Sequence, residues 1–367
     1  MSVPSDATTL VAQNGQPMPV DAFVTRYMQQ KQVSGVVVAI IQHNGPAEFH
    51  CYGVTDSKNQ YPIGPDTLFA LGSLSKGTTA EVITLLVNEG RLHWDDTLLT
   101  LLPPGTPLSN DAKKITLLQL VTHTSGLPRQ PMNLLSLEHL LAYLSDGENF
   151  YHELDSDKVL GYLRTFNAPA SREPEYSNLG YAILGYILNY QTGESVETLA
   201  ARMIFQPLAM RNTSYAPQTL RGYPQRALGH AGDQPKFKSR GALTPDWQFS
   251  NNMVGAASLY SNARDLIEYA RAHFSPTHNA ALDKAFADVS VEYYAREKEA
   301  ANIAWVTDTL GEQKITYQVG YIGGYASYIG FDKAHQNAVV VLQNSFNWSN
   351  YIGHAILQNQ EPIKKAP

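Results

Sequence analysis

The chain has 367 residues, 43% of them hydrophobic and 16% charged, with a formal net charge of −6. That length and composition describe a globular protein with a substantial core, in one large domain or two ordinary ones. The acidic balance and the lack of any Lys/Arg-rich run argue against a nucleic-acid partner, and no stretch approaches a transmembrane span. Cys51 is the only cysteine, so no internal disulfide forms; in its strand-like run it reads as a buried filler. The 11 histidines are scattered without paired metal-ligand spacing, so neither a metal nor another cofactor is expected. The first residues do not place an apolar run behind a basic one. The chain as written therefore reads as cytoplasmic, or as periplasmic or secreted if a leader has been removed.

In chain order, the first twenty residues are polar and read as loosely ordered, and 21–32 form a helix packing through Phe23, Val24 and Tyr27. The β-branched run 36–41 reads as a strand, joined at Asn44-Gly45 to a second strand over 48–53. Apolar residues at Ala80, Val82, Ile83, Leu86 and Val87 then recur with helical spacing until Gly90. Pro103, Pro104, Gly105 and Pro107 break the chain, and helical segments follow at 115–122, 136–145, 156–165, 178–191 and 195–204. Residues 215–247 lack a steady period, which inside a compact domain points to a binding loop. Asn262 caps a further amphipathic helix carrying Leu266, Ile267 and Ala270. Strands return at 303–308, 314–319, 325–331 and 338–342, and a helix covers 350–359. Strands at both ends of the chain predict one antiparallel sheet, five-stranded or larger, within an α/β (α+β) fold. On that reading 21–95 and 301–360 form a discontinuous sheet domain, 96–300 an inserted, mainly helical one, and the cleft lies between them.

Three stretches carry candidate chemistry. Ser73 and Lys76 stand at positions i and i+3 of a helix poor in charge, so hydroxyl and amine share a face. Burial lowers a lysine's pKa, and a neutral amine beside a hydroxyl is a base beside a nucleophile. Alone, a Ser-x-x-Lys spacing is common, and Ser75 as a cap with Lys76 as a snorkelling surface residue explains it equally well. Tyr176-Ser177-Asn178 precedes another apolar helix; a phenol works as a base only beside a cation, which Lys76 can supply. Its plain reading is a packed tyrosine with Asn178 as helix cap. The third stretch, Gln318 to Tyr325, is Gly-rich and lets a backbone or substrate approach closely, or is simply a hairpin with bulge glycines. His123, in His-Thr-Ser-Gly beside Ser125, reads as part of a turn, and Asp332 and Asp95-Asp96 read as turn and cap residues.

Taken together and in order, these stretches give the chain a family likeness. It resembles the serine β-lactamase and penicillin-binding-protein superfamily, specifically the class C β-lactamases, D-alanyl-D-alanine peptidases and their esterase relatives. Ser73-Leu-Ser-Lys76 is similar to the Ser-x-x-Lys motif, Tyr176-Ser177-Asn178 to Tyr-x-Asn, and 323–332 to the strand after the third motif; 115–127 and 205–210 are similar too. The likeness runs from about residue 21 to 358. It implies Ser73 as the acylated nucleophile, Lys76 and Tyr176 sharing proton transfer, and Asn178 holding the acyl-side amide of a small-molecule or peptide substrate. It further implies an oxyanion hole from the backbone N–H groups of Ser73 and Tyr321. The 128–152 and 215–247 segments are expected to shape the acyl pocket.

One departure bears on substrate. Where the family carries Lys-Thr-Gly or His-Thr-Gly, this chain has Gln318-Val319-Gly320. Gln318 and Gly320 keep the substrate-facing positions, but the carboxylate-holding charge and the threonine hydroxyl are missing, and a charge-assisted bond is roughly twice as strong as a neutral one. The expectation is a hydrolase working through acyl-Ser73 on esters or D-amino-acid peptides and amides, with weak β-lactamase activity. An acyltransferase using the same intermediate, or a catalytically idle penicillin-binding module, are the alternatives. Nothing in the sequence sets the oligomeric state.

Overall fold

The computed structural model describes residues 19–130, 137–151, 154–249, 252–348 and 352–360. The expected loose start, up to residue 18, and the first residues of the helices expected at 136 and 350 lie outside these.

Residues 35–53 and 294–343 supply one eight-stranded antiparallel sheet, ordered β2-β1-β10-β9-β8-β7-β6-β5, so that β5 and most of β6 lie ahead of the expected boundary at 301. Its strands are β1 (Gly35–Ile41), β2 (Glu48–Gly53), β5 (Tyr294–Ala295), β6 (Glu299–Ala301), β7 (Val306–Leu310), β8 (Gln313–Ile322), β9 (Tyr325–Asp332) and β10 (Asn337–Gln343). A separate two-stranded ribbon joins β3 (Phe69–Ala70) to β4 (Tyr260–Ser261). The sheet closes across the ends of the chain because β1 pairs with β10, Val38 opposite Val341.

Every residue of β1, β9 and β10 is buried, and alternation divides them between two cores. Val37, Ala39, Ile41, Ile329, Phe331, Val340 and Leu342 face the main core. Val36, Val38, Ile40, Tyr328, Val339 and Val341 face a smaller one, closed by Val24 and Tyr27 of α1 (Val20–Lys31) and by the Ile352–Gln360 helix.

Helix α2 (Ser75–Asn88) runs through the main core, buried from Ser75 to Leu86. Its one acidic side chain, Glu81, accepts from Tyr269 Oη at 2.7 and 2.8 Å and from Trp305 Nε1 at 3.0 Å, and lies 3.0 Å from His273 Nε2. A buried carboxylate is tolerable only with such partners. The Ala263–Arg271 helix, capped by Asn262 accepting from Asp265 N–H at 2.8 Å, packs on β1, β9 and β10.

Several boundaries differ from the sequence reading. At the first hairpin, His43 and Asn44 take the positive φ values, 48° and 55°, rather than Asn44 and Gly45. Strand β7 starts at Val306 because Asn302–Trp305 form a turn closed by Asn302 N–H to Trp305 O at 2.9 Å. Strand β8 continues past Val319 to Ile322, and β5 and β6 are too short to show a period.

That extension of β8 positions the site. A Cβ on Gly320 would lie 2.0 Å from Leu71 O and 2.6 Å from Ser327 Oγ, so only glycine lets β8 press against the turn that carries Ser73. Ser327 Oγ donates to Leu71 O at 3.0 Å and locks the contact. Gly320→Ala is expected to cost about 1–3 kcal/mol in denaturant unfolding and to lower activity with it. Gly161→Ala, with nothing within 4 Å of the added Cβ, serves as control and should be neutral or stabilising. Equal stability of the two variants would mean that the β8 contact is not tight.

Candidate active site

Ser73 lies on the Gly72–Leu74 3-10 turn just before α2, not within the helix. Side chains at i and i+3 eclipse in 3-10 geometry, which brings Lys76 under Ser73. Lys76 Nζ stands 3.2 Å from Ser73 Oγ and donates to Ala256 O at 3.0 Å. Ser75 is a buried pin rather than a surface cap: its hydroxyl donates to Gly72 O at 2.5 Å and accepts from Leu259 N–H at 3.0 Å.

Tyr176 comes from a loop 103 positions away, and its Oη donates to Ser73 Oγ at 2.6 Å. Two contacts hold it there. Ser177 N–H donates to His123 Nδ1 at 2.9 Å, and the His123 ring lies against the Tyr176 ring with centroids 4.7 Å apart. Ser177, not Asn178, caps the Asn178–Thr192 helix by accepting from Gly180 N–H at 2.9 Å. That frees the Asn178 carboxamide, whose Nδ2 donates to Tyr151 Oη at 3.0 Å, while Tyr151 Oη in turn donates to Gln130 Oε1.

Electrostatics complete the arrangement. Burial, and then the Arg129 charge, hold the Lys76 amine well below its ordinary pKa. Burial pushes the Tyr176 phenol up, against the opposing effects of Arg129 and the Ser73 hydrogen bond. The guanidinium of Arg129 sits 4.9 Å from the Tyr176 ring centroid, and Lys76 Nζ 4.8 Å from it. Because burial disfavours the charged form of Lys76, the cation acting on this phenol is Arg129. His123 is driven down to about 3, chiefly by burial. A hydroxyl flanked by a neutral amine and a neutral phenol can give up a proton and have it passed on, which is what acyl transfer requires.

Ser73 opens into a cavity of about 280 Å³, whose lining includes Asn178 and Tyr321. One wall is an aromatic cluster from the two segments expected to shape the pocket: Phe150 packs against Tyr143 and Trp247 edge-to-face, with centroids 5.1 and 5.5 Å apart. Trp247 is fixed by Nε1 donating to Gly147 O at 2.8 Å. The other wall is Tyr321, Phe346 and Trp348. Gln318 and Gly320 are not in this lining. Gln318 is 6% exposed, its carboxamide filling the space left by Gly77, and Gly320 is used up by the approach to Leu71. A larger crevice, about 700 Å³, lies along Leu102, Pro104 and Tyr190, with no nucleophile–base pair in it. Among the described residues no three His, Cys, Asp or Glu side chains group to hold a metal ion, and no helix is long and apolar enough to cross a membrane.

The β-lactamase family model matches residues 20–360. The chain belongs to the β-lactamase family. It is 26% identical to a β-lactamase of Pseudomonas fluorescens over 92% of this chain and 97% of that protein. It is 27% identical to the Escherichia coli D-alanyl-D-alanine-carboxypeptidase/endopeptidase AmpH over 54% of this chain and 49% of that protein. Against the unguisins hydrolase ungD' of Aspergillus campestris the identity is 25%, over 94% of this chain and 65% of that protein. The fold matches the β-lactamase/D-alanine carboxypeptidase of Pseudomonas syringae with a TM-score of 0.78 at 21% identity, over 94% of this chain and 98% of that one. It matches a class C β-lactamase of Rhodobacter sphaeroides with a TM-score of 0.76 at 22% identity, over 93% of this chain and 98% of that one. The protein is thus a β-lactamase-family serine hydrolase.

Sequence reasoning did not single out Arg129, Gln130, Tyr151 or Trp247 in this family member. They fall within the 128–152 and 215–247 segments expected to shape the pocket, and Arg129-Gln130 directly follows the His-Thr-Ser-Gly-Leu-Pro stretch.

Two measurements probe the electrostatics. Lys76→Met should lower kcat/KM for an activated ester by about a hundred- to ten-thousand-fold while leaving the thermal midpoint unchanged or raised, since no amine is then desolvated. A large loss of stability would contradict a neutral buried amine. His123 is neutral in the fold down to about 3 but titrates at 6.5 when unfolded, so between those values only the unfolded chain binds the proton. Its contribution to stability is complete above 6.5 and is lost as pH falls towards about 3. Urea midpoints should therefore fall between about pH 7 and about pH 4, and His123→Gln should flatten that slope.

Proposed function

We propose that this protein cleaves esters or D-amino-acid peptides and amides through an acyl-Ser73 intermediate, with only weak β-lactamase activity. The observation that carries this reading is the convergence on Ser73 Oγ of Lys76 Nζ at 3.2 Å and Tyr176 Oη at 2.6 Å.

Ser73 Oγ attacks the substrate carbonyl while its proton passes to the neutral Lys76 amine. Tyr176 hands a proton to the leaving alcohol or amine and is reprotonated through Lys76. Proton transfer is shared between the two groups, so neither is singled out as the base. The backbone N–H groups of Ser73 and Tyr321 take the developing oxyanion, each worth about 3 kcal/mol. Asn178 binds the acyl-side amide, and water, activated by the same pair, releases the acyl group.

The substrate range follows from the cavity. Gln318-Val319 offers neither cation nor hydroxyl on β8, and the Gln318 carboxamide is buried against Gly77, which disfavours a leaving group with its own carboxylate. Aromatic walls suit an apolar or neutral group. Relatives named for D-alanyl-D-alanine and unguisin hydrolysis are consistent with peptide substrates.

Turnover of a short-chain p-nitrophenyl ester should be readily measured and that of a chromogenic cephalosporin poor; fast cephalosporin turnover would overturn the Gln318 argument. A fluorophosphonate probe should add one adduct to the wild type by intact mass and none to Ser73→Ala. Equal labelling of both, or none of either, would remove Ser73 as nucleophile, and the latter would favour an idle module.

A further inference from the structure

Arg129 stands out among the partly buried arginines of the molecule. Arg226, Arg240, Arg264 and Arg271 each reach a carboxylate, at Asp246, Asp233, Asp66 and Glu268. Among the described residues Arg129 has no such partner, and its guanidinium donates no hydrogen bond. It is half-buried, with one face over the Tyr176 ring at 4.9 Å. A guanidinium carries five N–H donors in a planar fork suited to a carboxylate, and stacking on a ring leaves the edge of that fork free.

Its surroundings sharpen the point. Arg129 is the only charged side chain in the described lining of the Ser73 cavity, which contains no Asp or Glu. It lies with Gln130, Tyr151 and Asn178, the side on which Asn178 would hold the acyl part of a substrate. Tyr321 of β8 clusters with Phe346 and Trp348, and this part of the lining is uncharged. The β8 position where the family motif carries a cation holds Gln318 here, and the one cation in the described lining is Arg129. An unpaired cation in an aromatic-walled cavity, where water screens poorly, attracts an anion strongly.

We infer that the preferred substrates carry a carboxylate on their acyl half, bound by Arg129, and a neutral leaving group on the β8 side. The inference rests on the acyl-Ser73 reading. It makes the enzyme selective for half-esters or half-amides of dicarboxylic acids and for acidic acyl residues, rather than for the terminal carboxylates that a cation on β8 would read.

The test compares mono-p-nitrophenyl adipate with p-nitrophenyl hexanoate, which match in acyl length and leaving group and differ in the distal carboxylate. At its plateau pH the wild type should favour adipate in kcat/KM by about tenfold or more, and added salt should shrink that preference. Arg129→Met should cut the adipate-to-hexanoate ratio by about 10- to 100-fold, and Arg129→Lys should restore part of it. Should Arg129→Met fold poorly, adipate inhibiting wild-type hexanoate hydrolysis more strongly than hexanoate ion does, in a salt-sensitive way, supports the same conclusion. No preference for adipate in the wild type, or a loss in Arg129→Met that falls equally on both esters, would overturn it; the latter would mean that Arg129 acts only through Tyr176 and Lys76. Turnover of both esters surviving in Ser73→Ala would instead remove the acyl-Ser73 reading itself.

Discussion

The desolvated amine of Lys76 is the constraint on which the rest of the structure depends. It is 2% exposed and has no carboxylate partner among the described residues, only the Ala256 carbonyl and the Ser73 hydroxyl. An ammonium ion in that position would carry a heavy desolvation penalty, so burial favours the neutral amine, the form that can accept a proton. Keeping it so requires α2 to run through the core, with neighbours on every side. The buried Glu81 cluster shows the same logic applied to an anion on the same helix: three side chains are spent on satisfying one carboxylate.

Around this amine the site is built from two rigid supports. Glycine at 320 and the Ser327 hydroxyl clamp β8 to the turn carrying Ser73, which fixes the nucleophile from the sheet side. His123 and the Ser177 cap fix Tyr176 from the helical side. Each support uses neutral groups, so neither adds charge near Lys76. The one charge admitted, Arg129, pushes the amine and the phenol pKa values down together. It thereby favours the neutral amine while easing ionisation of the phenol.

The same economy of charge shapes the cleft. Aromatic side chains from 143–151, 247, 321 and 346–348 make up much of the described lining, and the polar residues Ser73, Arg129, Gln130, Asn178 and Gln234 are set among them. A pocket with few, well-placed polar groups discriminates through the cost of leaving them unpaired. In the described lining the single cation is Arg129, and the Gln318-Val319 stretch of β8 supplies none.

The two-residue alternation of the strands, the helical spacing after Ser73 and the order of the three motifs are properties of neighbouring residues. From them the sequence by itself indicated the antiparallel sheet drawn from both ends and the buried α2, and the resemblance carried by the motifs singled out Ser73, Lys76 and Tyr176 as candidates. Whatever depends on contacts between distant segments was decided by the tertiary structure alone. That includes the meeting of Tyr176 with Ser73, the capping by Ser177 that frees Asn178, and the burial of Gln318 over Gly77. It also includes the placing of Arg129 at the phenol. The reason is physical: burial and desolvation are set by which surfaces pack together, and a local pattern shows that a residue will be buried without showing what it will face.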